Sequence, residues 1–596
     1  MAQTDGETLG AAALLTPTLD ELQHWTGVIG RAQQLMLEFA AAQASQPPVA
    51  ATLPTDFSRL MTLAQPMTLG IDPAKLADAQ ADFWTGSLTL WKRFLAPAAA
   101  APAAAATPDR RFTAPQWHDN PLFDLIRSSY QLLSEHMVRS VGAVEGLTDK
   151  QRAQLLFATR AFTDAIAPSN FLGTNPIALE KIVATRGESL LRGLENLLAD
   201  LGRGQLTHSD SRAFVLGETI ASTPGKVIYE TPLFQLVHYA PTTARVAAIP
   251  VVIFPPWINR FYILDLNPDK SFVRWAVGEG LSVFMVSWKS ADESLAATML
   301  DDYVAAQIEA IDVVRDLLGV EAVHAIGYCV AGTTLAATLA LLAARGEAAK
   351  VASATFFTAQ VDFSAAGDLA LFIDDQQLAL LAELTSGKGY LDGRYLAASF
   401  NLLRGRDLIW NTVVQNYLLG EDHPAFDLLH WNGDTTNLPA TWHLGYLRDF
   451  YRDNLLVRPG GISVAGVPID LRSVATPSYV QAGREDHIAP AESVWKITEH
   501  FAGPLRFVLA GSGHIAGVVN PPAAHKYQYW TSDAPASTLA DFIAQARETP
   551  GSWWPDWRAW LADRDDRTVA AKGARIPGKG KRKPIEDAPG RYVAQR

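Results

Sequence analysis

The sequence predicts an α/β fold, an open and largely parallel sheet with helices between its strands, in the part of the chain after about residue 205. Short runs rich in Val, Ile and Phe recur there without polar alternation, which is what a strand covered on both faces requires. Helical segments separate several of these runs. The 596 residues are 48% hydrophobic and 19% charged, a composition that supplies a sizeable buried core.

Six runs are predicted to be core strands: residues 247–257, 281–288, 322–328, 351–361, 476–483 and 505–511. Residues 301–319 and the Ala/Leu-rich run after Gly332 have the period of helices. The alternation of strand and helix is broken over about 363–472, where Leu, aromatic and polar residues follow a helical spacing. An insertion of this size between core strands is most simply a cap over the ends of the strands.

The N-terminal part of the chain is predicted to be mostly helical. Residues 1–108 are a weakly specified helical segment that ends in APAAAAPAAAATP (96–108), a linker or exposed loop because prolines interrupt the alanines. Residues 109–204 are a helical N-terminal domain, and residues 205–596 are the α/β domain. Near the end of that domain, the basic and Gly/Pro-rich stretch 572–584 is predicted to be solvated and flexible.

Composition disfavours several classes of function. The chain has 50 Lys and Arg against 62 Asp and Glu, a net charge of −12, whereas a general nucleic-acid-binding protein needs a basic face. Cys329 is the one cysteine, which excludes an intrachain disulfide and a cysteine-cluster metal site. The start, MAQTDGETLG, lacks the features of a signal peptide, and no run reaches roughly 18 uninterrupted apolar residues. We therefore expect a soluble, cytoplasmic protein that binds no metal and spans no membrane.

Cys329 lies in a context typical of a nucleophile elbow. The sequence GYCVAG (327–332) follows a predicted strand and precedes a predicted helix, so small residues must flank a tight turn. The helix N-terminus would favour the thiolate and offer N–H groups to an oxyanion. A lone cysteine is most often a buried small hydrophobic residue. The strand, turn and helix around Cys329 favour the nucleophile instead.

An acid and a base follow Cys329 in the chain order that α/β-hydrolases use. Asp486 comes directly after one late strand and His514 after the next, so both lie at the carboxyl ends of strands, where ligands collect. A thiol needs a base to become a thiolate, and the base needs an oriented acceptor on its other nitrogen. His487 adjoins the acid but points elsewhere, so it is given a helping or structural role.

The oxyanion is predicted to be held by two backbone N–H groups. One belongs to Val330, directly after the nucleophile, and the other to Ile258 or Trp257 in the loop after the first predicted core strand. A proline-fixed connection with aromatic packing explains that loop equally well. Together these features predict an α/β-hydrolase fold with an inserted cap, preceded by a mostly helical domain.

The chain resembles class I polyhydroxyalkanoate synthases, the poly(3-hydroxybutyrate) polymerases. The matching blocks are PPWINRFYILDL (255–266), GYCVAGT (327–333), HWNGDTTNLP (430–439), GREDHIAP (483–490), GSGHIAGVVNPP (511–522), GSWWPDW (551–557) and PGRYV (589–593). NPLFDLIRSSYQLLSEHM (120–137) is similar to the family's N-terminal region, so the resemblance spans about 110–596. The family pattern is G-x-C-x-G-G, and Ala331 stands where the first of the paired glycines is usual.

The resemblance implies a mechanism and a setting. Cys329 would carry the acyl group and the growing chain as a thioester, with His514 as its base. Asp486 would activate the incoming 3-hydroxyl or orient the histidine. The implied substrate is a short-chain (R)-3-hydroxyacyl-CoA, chiefly 3-hydroxybutyryl-CoA, with release of coenzyme A and no separate cofactor. The family also implies a homodimer, a cap that opens, and attachment to cytoplasmic polymer granules.

Two other functions are compatible with this sequence. One is a cysteine-nucleophile thioesterase or depolymerase on the same fold, because the three candidate catalytic residues do not distinguish hydrolysis from polymerisation. The other is an inactive protein that coats granules or acts as a scaffold. The intact set of Cys329, Asp486 and His514 disfavours the inactive protein, and the family blocks at 255–266 and 430–439 favour the synthase.

Overall fold

The computed structural model describes residues 19–44, 70–95 and 109–595. These residues form two compact units. The first unit comprises residues 19–44, 70–95, 109–148, 155–206 and 404–423, and the second comprises residues 149–154, 207–403 and 424–595. Residues 404–423 of the first unit lie within the predicted cap, 363–472. The predicted linker, 96–108, lies outside the described residues.

The first unit is mainly helical. Its helices are α1 (Leu19–Ala44), α2 (Pro73–Leu95), α3 (Pro121–Val141), α4 (Asp149–Ala165, which begins in the second unit), α5 (Pro176–Ala184) and α6 (Glu188–Arg203), with a short helix at Gln116–Asp119 and π-helical turns at Arg406–Trp410 and Val413–Leu418. Strands Gly70–Ile71 and Val144–Glu145 form a small antiparallel pair. Asn175 shows how such a helix begins, because its side chain accepts from the N–H groups of Ile177 and Ala178 at the start of α5.

An eleven-stranded sheet organises the second unit. Its strands are β1 (Gly225–Glu230), β2 (Phe234–Tyr239), β3 (Val251–Phe254), β4 (Val283–Trp288), β5 (Val323–Tyr328), β6 (Val351–Phe357), β7 (Ser478–Gly483), β8 (Leu505–Ala510), β9 (Gln528–Thr531), β10 (Arg547–Pro550) and β11 (Glu586–Asp587). The strand order is β10-β9-β8-β7-β6-β5-β3-β4-β2-β1-β11. The six strands from β8 to β4 in that order are parallel, and the outer strands pair antiparallel. All six predicted core strands are therefore present, and they are the parallel ones.

Helices connect and cover these strands. They are α7 (Phe272–Gly278), α8 (Leu300–Leu318), α9 (Val330–Ala344), α10 (Asp375–Thr385), α11 (Gly393–Leu403), α12 (Asp427–Gly433), α13 (Ala440–Gly445, continuing as a π-helix over Tyr446–Arg452), α14 (Ala491–Trp495), α15 (Leu539–Gln545) and α16 (Trp554–Ala562), with short helices at Asp368–Leu371 and Ile497–His500. Short antiparallel pairs join Tyr390–Leu391 with Leu438–Pro439, Ser463–Val464 with Val467–Pro468, and Arg245–Ala247 with Thr568–Ala570. Among the described residues, no helix is both long enough and apolar enough to cross a membrane.

The two faces of the sheet bury separate apolar clusters, as a doubly covered parallel sheet requires. In β3, Val252 and Phe254 belong to one cluster, and Val251 and Ile253 belong to the other. Cys329 packs against both clusters. The candidate nucleophile therefore lies where the two halves of the core meet.

The structure departs from the prediction that residues 572–584 are solvated and flexible. Arg575 is buried, and its guanidinium donates to the carbonyl oxygens of Ala247 at 3.2 Å and Ala248 at 2.6 Å and to Ser282 Oγ at 3.1 Å. Beyond this stretch, strand β11 joins the sheet beside β1. Basic composition is typical of solvated surface, but a guanidinium is buried where several acceptors meet its N–H groups.

Replacing Arg575 with Met is expected to lower the free energy of unfolding by about 2–4 kcal/mol, because it removes three hydrogen bonds and takes the guanidinium donors from the partly buried carbonyl groups of Ala247 and Ala248. Lys572→Met is the matched control, since Lys572 is exposed. Its effect should stay within about 0.5 kcal/mol. Thermal unfolding of both variants beside the wild type measures the difference. Equal midpoints for the two variants would contradict a structural role for Arg575.

Candidate active site

Cys329 occupies a sharp turn between β5 and α9. Its backbone has φ +53° and ψ −127°, a strained conformation for a residue with a side chain. A Cβ on Gly327 would meet Gly332 Cα at 2.5 Å, and one on Gly332 would meet Ala359 Cβ at 2.4 Å. The Cys329 N–H donates to the Phe357 carbonyl at 2.9 Å. Close packing therefore requires both glycines, and the thiol stands at the carboxyl end of the parallel strands.

Ala331, which replaces a glycine of the family pattern, fits this turn. It is fully buried in the first turn of α9, where helical backbone suits any L-residue. Its carbonyl oxygen accepts from Gln307 Nε2 at 3.0 Å. The next position, Gly332, has no room for a methyl group. Of positions 331 and 332, only position 332 requires glycine for the elbow to close.

Asp486 and His514 form a buried hydrogen-bonded pair. Asp486 Oδ2 accepts from His514 Nδ1 at 2.7 Å. Asp486 Oδ1 accepts from the backbone N–H groups of Ile488 at 2.8 Å and Ala489 at 2.9 Å. The Asp486 side chain is 0% exposed. Both carboxylate oxygens are thus engaged, and the imidazole keeps Nε2 for proton transfer.

The surroundings of His514 make it a stronger base than a free imidazole. Burial by itself would lower the pKa of His514, but the Asp486 carboxylate and the Cys329 sulfur both stabilise the imidazolium and raise that pKa to about 10. The structure therefore brings the three predicted residues Cys329, Asp486 and His514 together, although they are far apart along the chain. His487 is half-buried directly after Asp486, and its helping role stays a prediction.

Tyr328 connects the nucleophile elbow to His514, a contact that the sequence did not predict. Its hydroxyl donates to the backbone carbonyl of His514 at 3.0 Å, and the two ring centroids are 5.7 Å apart. Burial raises the pKa of Tyr328 well above its usual value, so the phenol stays a neutral donor. No local signal marks this role, because an aromatic residue in a buried strand is typical of core packing.

The predicted oxyanion donors lie in two ordered segments. Val330 begins α9, so its N–H has no acceptor within the helix. Thr436 fixes the other loop, because its hydroxyl donates to the Trp257 carbonyl at 2.6 Å and accepts from the Asn259 N–H at 2.9 Å. Within the described residues, the backbone N–H groups of Trp257 and Ile258 donate to no protein acceptor. The oxyanion role of Val330 with Ile258 or Trp257 stays a prediction.

The side chain of Trp257 belongs to the aromatic core. Its ring stacks on Tyr303 with centroids 4.0 Å apart and contacts Trp288 edge-on at 5.8 Å. Aromatic packing of this loop and a role for its backbone as an oxyanion donor are therefore compatible. The side chain packs, as the structural explanation requires, while the backbone remains available as a donor.

The two family blocks at 255–266 and 430–439 contact each other. Trp431 Nε1 donates to the Arg260 carbonyl at 2.6 Å, and the Tyr262 hydroxyl donates to Asp434 Oδ2 at 2.8 Å. The guanidinium of Arg260 pairs with the same carboxylate at 3.4 Å. Residues of the predicted cap thus hold the loop that is predicted to offer the second oxyanion donor.

Two tyrosines of the predicted cap, Tyr446 and Tyr451, interact electrostatically with Cys329. Burial and the charge of Cys329 raise the pKa of Tyr451. Burial raises the pKa of Tyr446 as well, and the charges of Tyr451 and Cys329 raise it further. Gln360 Nε2 donates to the Tyr451 hydroxyl at 3.0 Å, and Ser493 Oγ donates to Gln360 Oε1 at 2.8 Å. No sequence pattern predicts this network, since its members come from three separate segments.

Replacing Tyr328 with Phe is expected to lower the free energy of unfolding by about 1–3 kcal/mol, because the buried carbonyl of His514 loses its donor. Tyr239→Phe is the matched control. Tyr239 is equally buried, but its hydroxyl has no hydrogen-bond partner among the described residues, so its loss should be neutral or stabilising. Chemical denaturation compares the two variants, and equal destabilisation would contradict the assigned contact.

Two family models and several solved structures are similar to parts of this chain. A family model described as "Poly-beta-hydroxybutyrate polymerase (PhaC) N-terminus" matches residues 108–276, and a model of the alpha/beta hydrolase fold matches residues 255–521. Among solved structures, epoxide hydrolase A from Mycobacterium thermoresistibile superposes with a TM-score of 0.33 at 17% identity, covering 58% of this chain and 100% of that one.

Curated relatives match most of the chain. The poly(3-hydroxyalkanoate) polymerase subunit PhaC of Rhizobium meliloti (strain 1021) is 44% identical over 88% of this chain and 86% of its own length. The corresponding subunit of Cupriavidus necator is 43% identical over 88% of this chain and 89% of its own length. Poly(3-hydroxyalkanoate) polymerase 2 of Ectopseudomonas oleovorans is 38% identical over 82% of this chain and 87% of its own length. The chain therefore belongs to the poly(3-hydroxyalkanoate) polymerase family, whose members are acyltransferases on an α/β-hydrolase fold.

Proposed function

We propose that this enzyme polymerises short-chain (R)-3-hydroxyacyl-CoA, chiefly 3-hydroxybutyryl-CoA, into polyester through a thioester on Cys329. The observation that carries the proposal is the approach of Asp486 and His514 to the Cys329 elbow in a chain 44% identical to a curated polymerase. Coenzyme A enters as part of the substrate and leaves as a product. No separate cofactor is needed, because the nucleophile and the base both belong to the chain.

Acylation begins when His514 takes the proton of the Cys329 thiol. The thiolate attacks the thioester carbonyl, and the oxyanion is held by the N–H of Val330 with that of Ile258 or Trp257. The carbon–sulfur bond to coenzyme A then breaks, and the coenzyme A sulfur takes the proton from His514. One thioester replaces another of similar energy, so a thiol nucleophile suits transfer better than a hydroxyl would.

Elongation requires an alcohol to attack the Cys329 thioester. The hydroxyl oxygen of one acyl chain forms an ester with the carbonyl carbon of the other, the bond to sulfur breaks, and the hydroxyl proton passes to the base. Asp486 either activates that hydroxyl or orients His514. The engagement of both Asp486 oxygens, by His514 and by two backbone N–H groups, supports the orienting role.

Polymerisation rather than hydrolysis requires that water be kept from the thioester. The aromatic packing of the cap supports such a dry site, because Phe363, Tyr446 and Phe450 contact one another in a buried cluster. The thioesterase or depolymerase remains the alternative, since it would use the same three catalytic residues. We further expect a cytoplasmic homodimer that attaches to polymer granules, in line with the family.

Cys329→Ala is expected to abolish release of coenzyme A from (R)-3-hydroxybutyryl-CoA, and His514→Gln to block acylation, each by at least about a thousandfold. A thiol assay measures release, and analysis of the insoluble product shows whether polymer forms. Lys572→Met, an exposed change, is the activity control. Release that yields only free acid would make the enzyme a hydrolase. Equal release by wild type and Cys329→Ala would support the inactive scaffold.

Asp486→Asn is expected to slow elongation by more than about tenfold while the first acylation persists, because an alcohol needs a stronger base than a thiol. Single-turnover release of coenzyme A reports acylation, and polymer length and steady-state rate report elongation. Normal polymer length and rate would remove the role assigned to Asp486. Equal slowing of acylation and elongation would contradict a greater need for Asp486 in elongation.

A further inference from the structure

Gln307 of α8 places an amide in the apolar core beside the nucleophile elbow. Val304 and Ile311, about one turn on either side of it, belong to an apolar cluster against which Cys329 also packs. Gln307 itself is 0% exposed. Such positions usually hold apolar residues, because burying an amide without hydrogen bonds is costly. An amide is retained there when its polar atoms have partners.

Helix α9 engages both ends of the Gln307 amide. The Nε2 donates to the Ala331 carbonyl at 3.0 Å, and the Oε1 accepts from the Thr338 hydroxyl at 2.6 Å. That hydroxyl also lies 3.0 Å from the Thr334 carbonyl, but it has one hydrogen, and the amide oxygen is the nearer acceptor. Because a carbonyl oxygen can only accept, these contacts fix the orientation of the amide.

One peptide unit connects Gln307 to the nucleophile. The Ala331 carbonyl and the Gly332 N–H belong to this unit, and the Gly332 N–H donates to the Cys329 carbonyl at 2.8 Å. Three hydrogen bonds therefore run in series, and each one donates toward Cys329. In a planar amide, a bond accepted by the oxygen polarises the N–H, so bonds in series strengthen one another. The series ends on the residue whose backbone is strained.

We propose that Gln307 is a positioning residue, which holds Cys329 in the elbow conformation through the peptide between Ala331 and Gly332. This role rests on the proposed function, in which Cys329 is the nucleophile. A backbone at φ +53° persists only while its surroundings hold it. Weakening the bond from Gly332 relaxes the turn and moves the thiol away from His514.

The bond to Ala331 favours positioning over simple packing. A carbonyl in the first turn of a helix already accepts from the N–H four residues on, so Ala331 does not need a second donor. If Gln307 only filled the space between α8 and α9, an apolar side chain of similar volume would replace it without affecting the thiol.

Alkylation by iodoacetamide tests the position of the thiol without substrate. Cys329 is the one cysteine of the chain, so uptake of the reagent reports on this thiol alone, with Cys329→Ala as the blank. Gln307→Met keeps a similar volume and removes the donor. We expect it to lower both the alkylation rate and kcat for coenzyme A release by about tenfold. The KM should change by less than about twofold, because the contacts that bind substrate remain.

Thr338 provides a conservative pair of variants. Thr338→Val has the same shape but no hydroxyl, so the Gln307 amide loses the partner that orients it, and both rates should fall by about threefold. Thr338→Ser keeps the hydroxyl and should retain both rates. Adding Thr338→Val to Gln307→Met should cause little further loss, because both act through one series of bonds.

Arg575→Met is the control for lost stability. Arg575 donates to carbonyl groups that precede β3, at the amino end of the parallel strands, whereas Cys329 follows the carboxyl end of β5. This variant should unfold more easily than the wild type and keep both rates.

Wild-type rates in Gln307→Met would overturn the positioning role and leave Gln307 as core packing. Equal losses in Arg575→Met, or in Thr338→Ser, would overturn it as well. If Gln307→Met does not fold, Thr338→Val compared with Thr338→Ser decides by itself. Slower alkylation in Gln307→Met, beside a wild type that releases no coenzyme A, would refute the proposed function and support the positioning role. Normal release by the wild type with unchanged alkylation in Gln307→Met would refute the positioning role alone.

Discussion

A left-handed backbone at Cys329 is tolerated only because β5 and α9 hold both sides of the turn. Such a conformation costs roughly 1–3 kcal/mol for a residue with a side chain. The cost is offset by hydrogen bonds that the sheet and helix supply, from the Cys329 N–H to Phe357 and from the N–H groups of Gly332 and Thr333 to the Cys329 carbonyl. Gly327 and Gly332 make that approach possible. The position of the thiol, and hence of everything that must reach it, depends on this turn.

The turn at Cys329 also helps to position the base, His514. Tyr328 adjoins Cys329 and holds the carbonyl of His514, while Asp486 holds the imidazole and is itself fixed by two backbone N–H groups. The histidine is therefore constrained at its backbone and at its ring. Two attachments of this kind limit rotation of the imidazole, which is what proton transfer over a short distance requires.

The strands that sequence patterns predicted and those they missed differ in composition. The six parallel strands are continuous apolar runs because both of their faces are covered. Strand β2 was missed because Gln235 and His238 interrupt its apolar run, although both are buried. Strands β9 to β11 are short, polar and near the edges of the sheet, so their sequences resemble those of loops. The buried guanidinium of Arg575 was missed for a related reason, since its acceptors come from residues more than 290 positions away.

The sequence by itself determined that a cysteine elbow, an acid and a histidine follow three strands in order, because each motif is local and parallel strands end at a common edge. It also determined the family, through blocks that need no structure to be recognised. Only the tertiary structure decided that Tyr328 holds His514, that Thr436 fixes the Trp257 loop, and that residues 404–423 join the first unit. These contacts join segments distant along the chain, and their geometry depends on packing that no local pattern encodes.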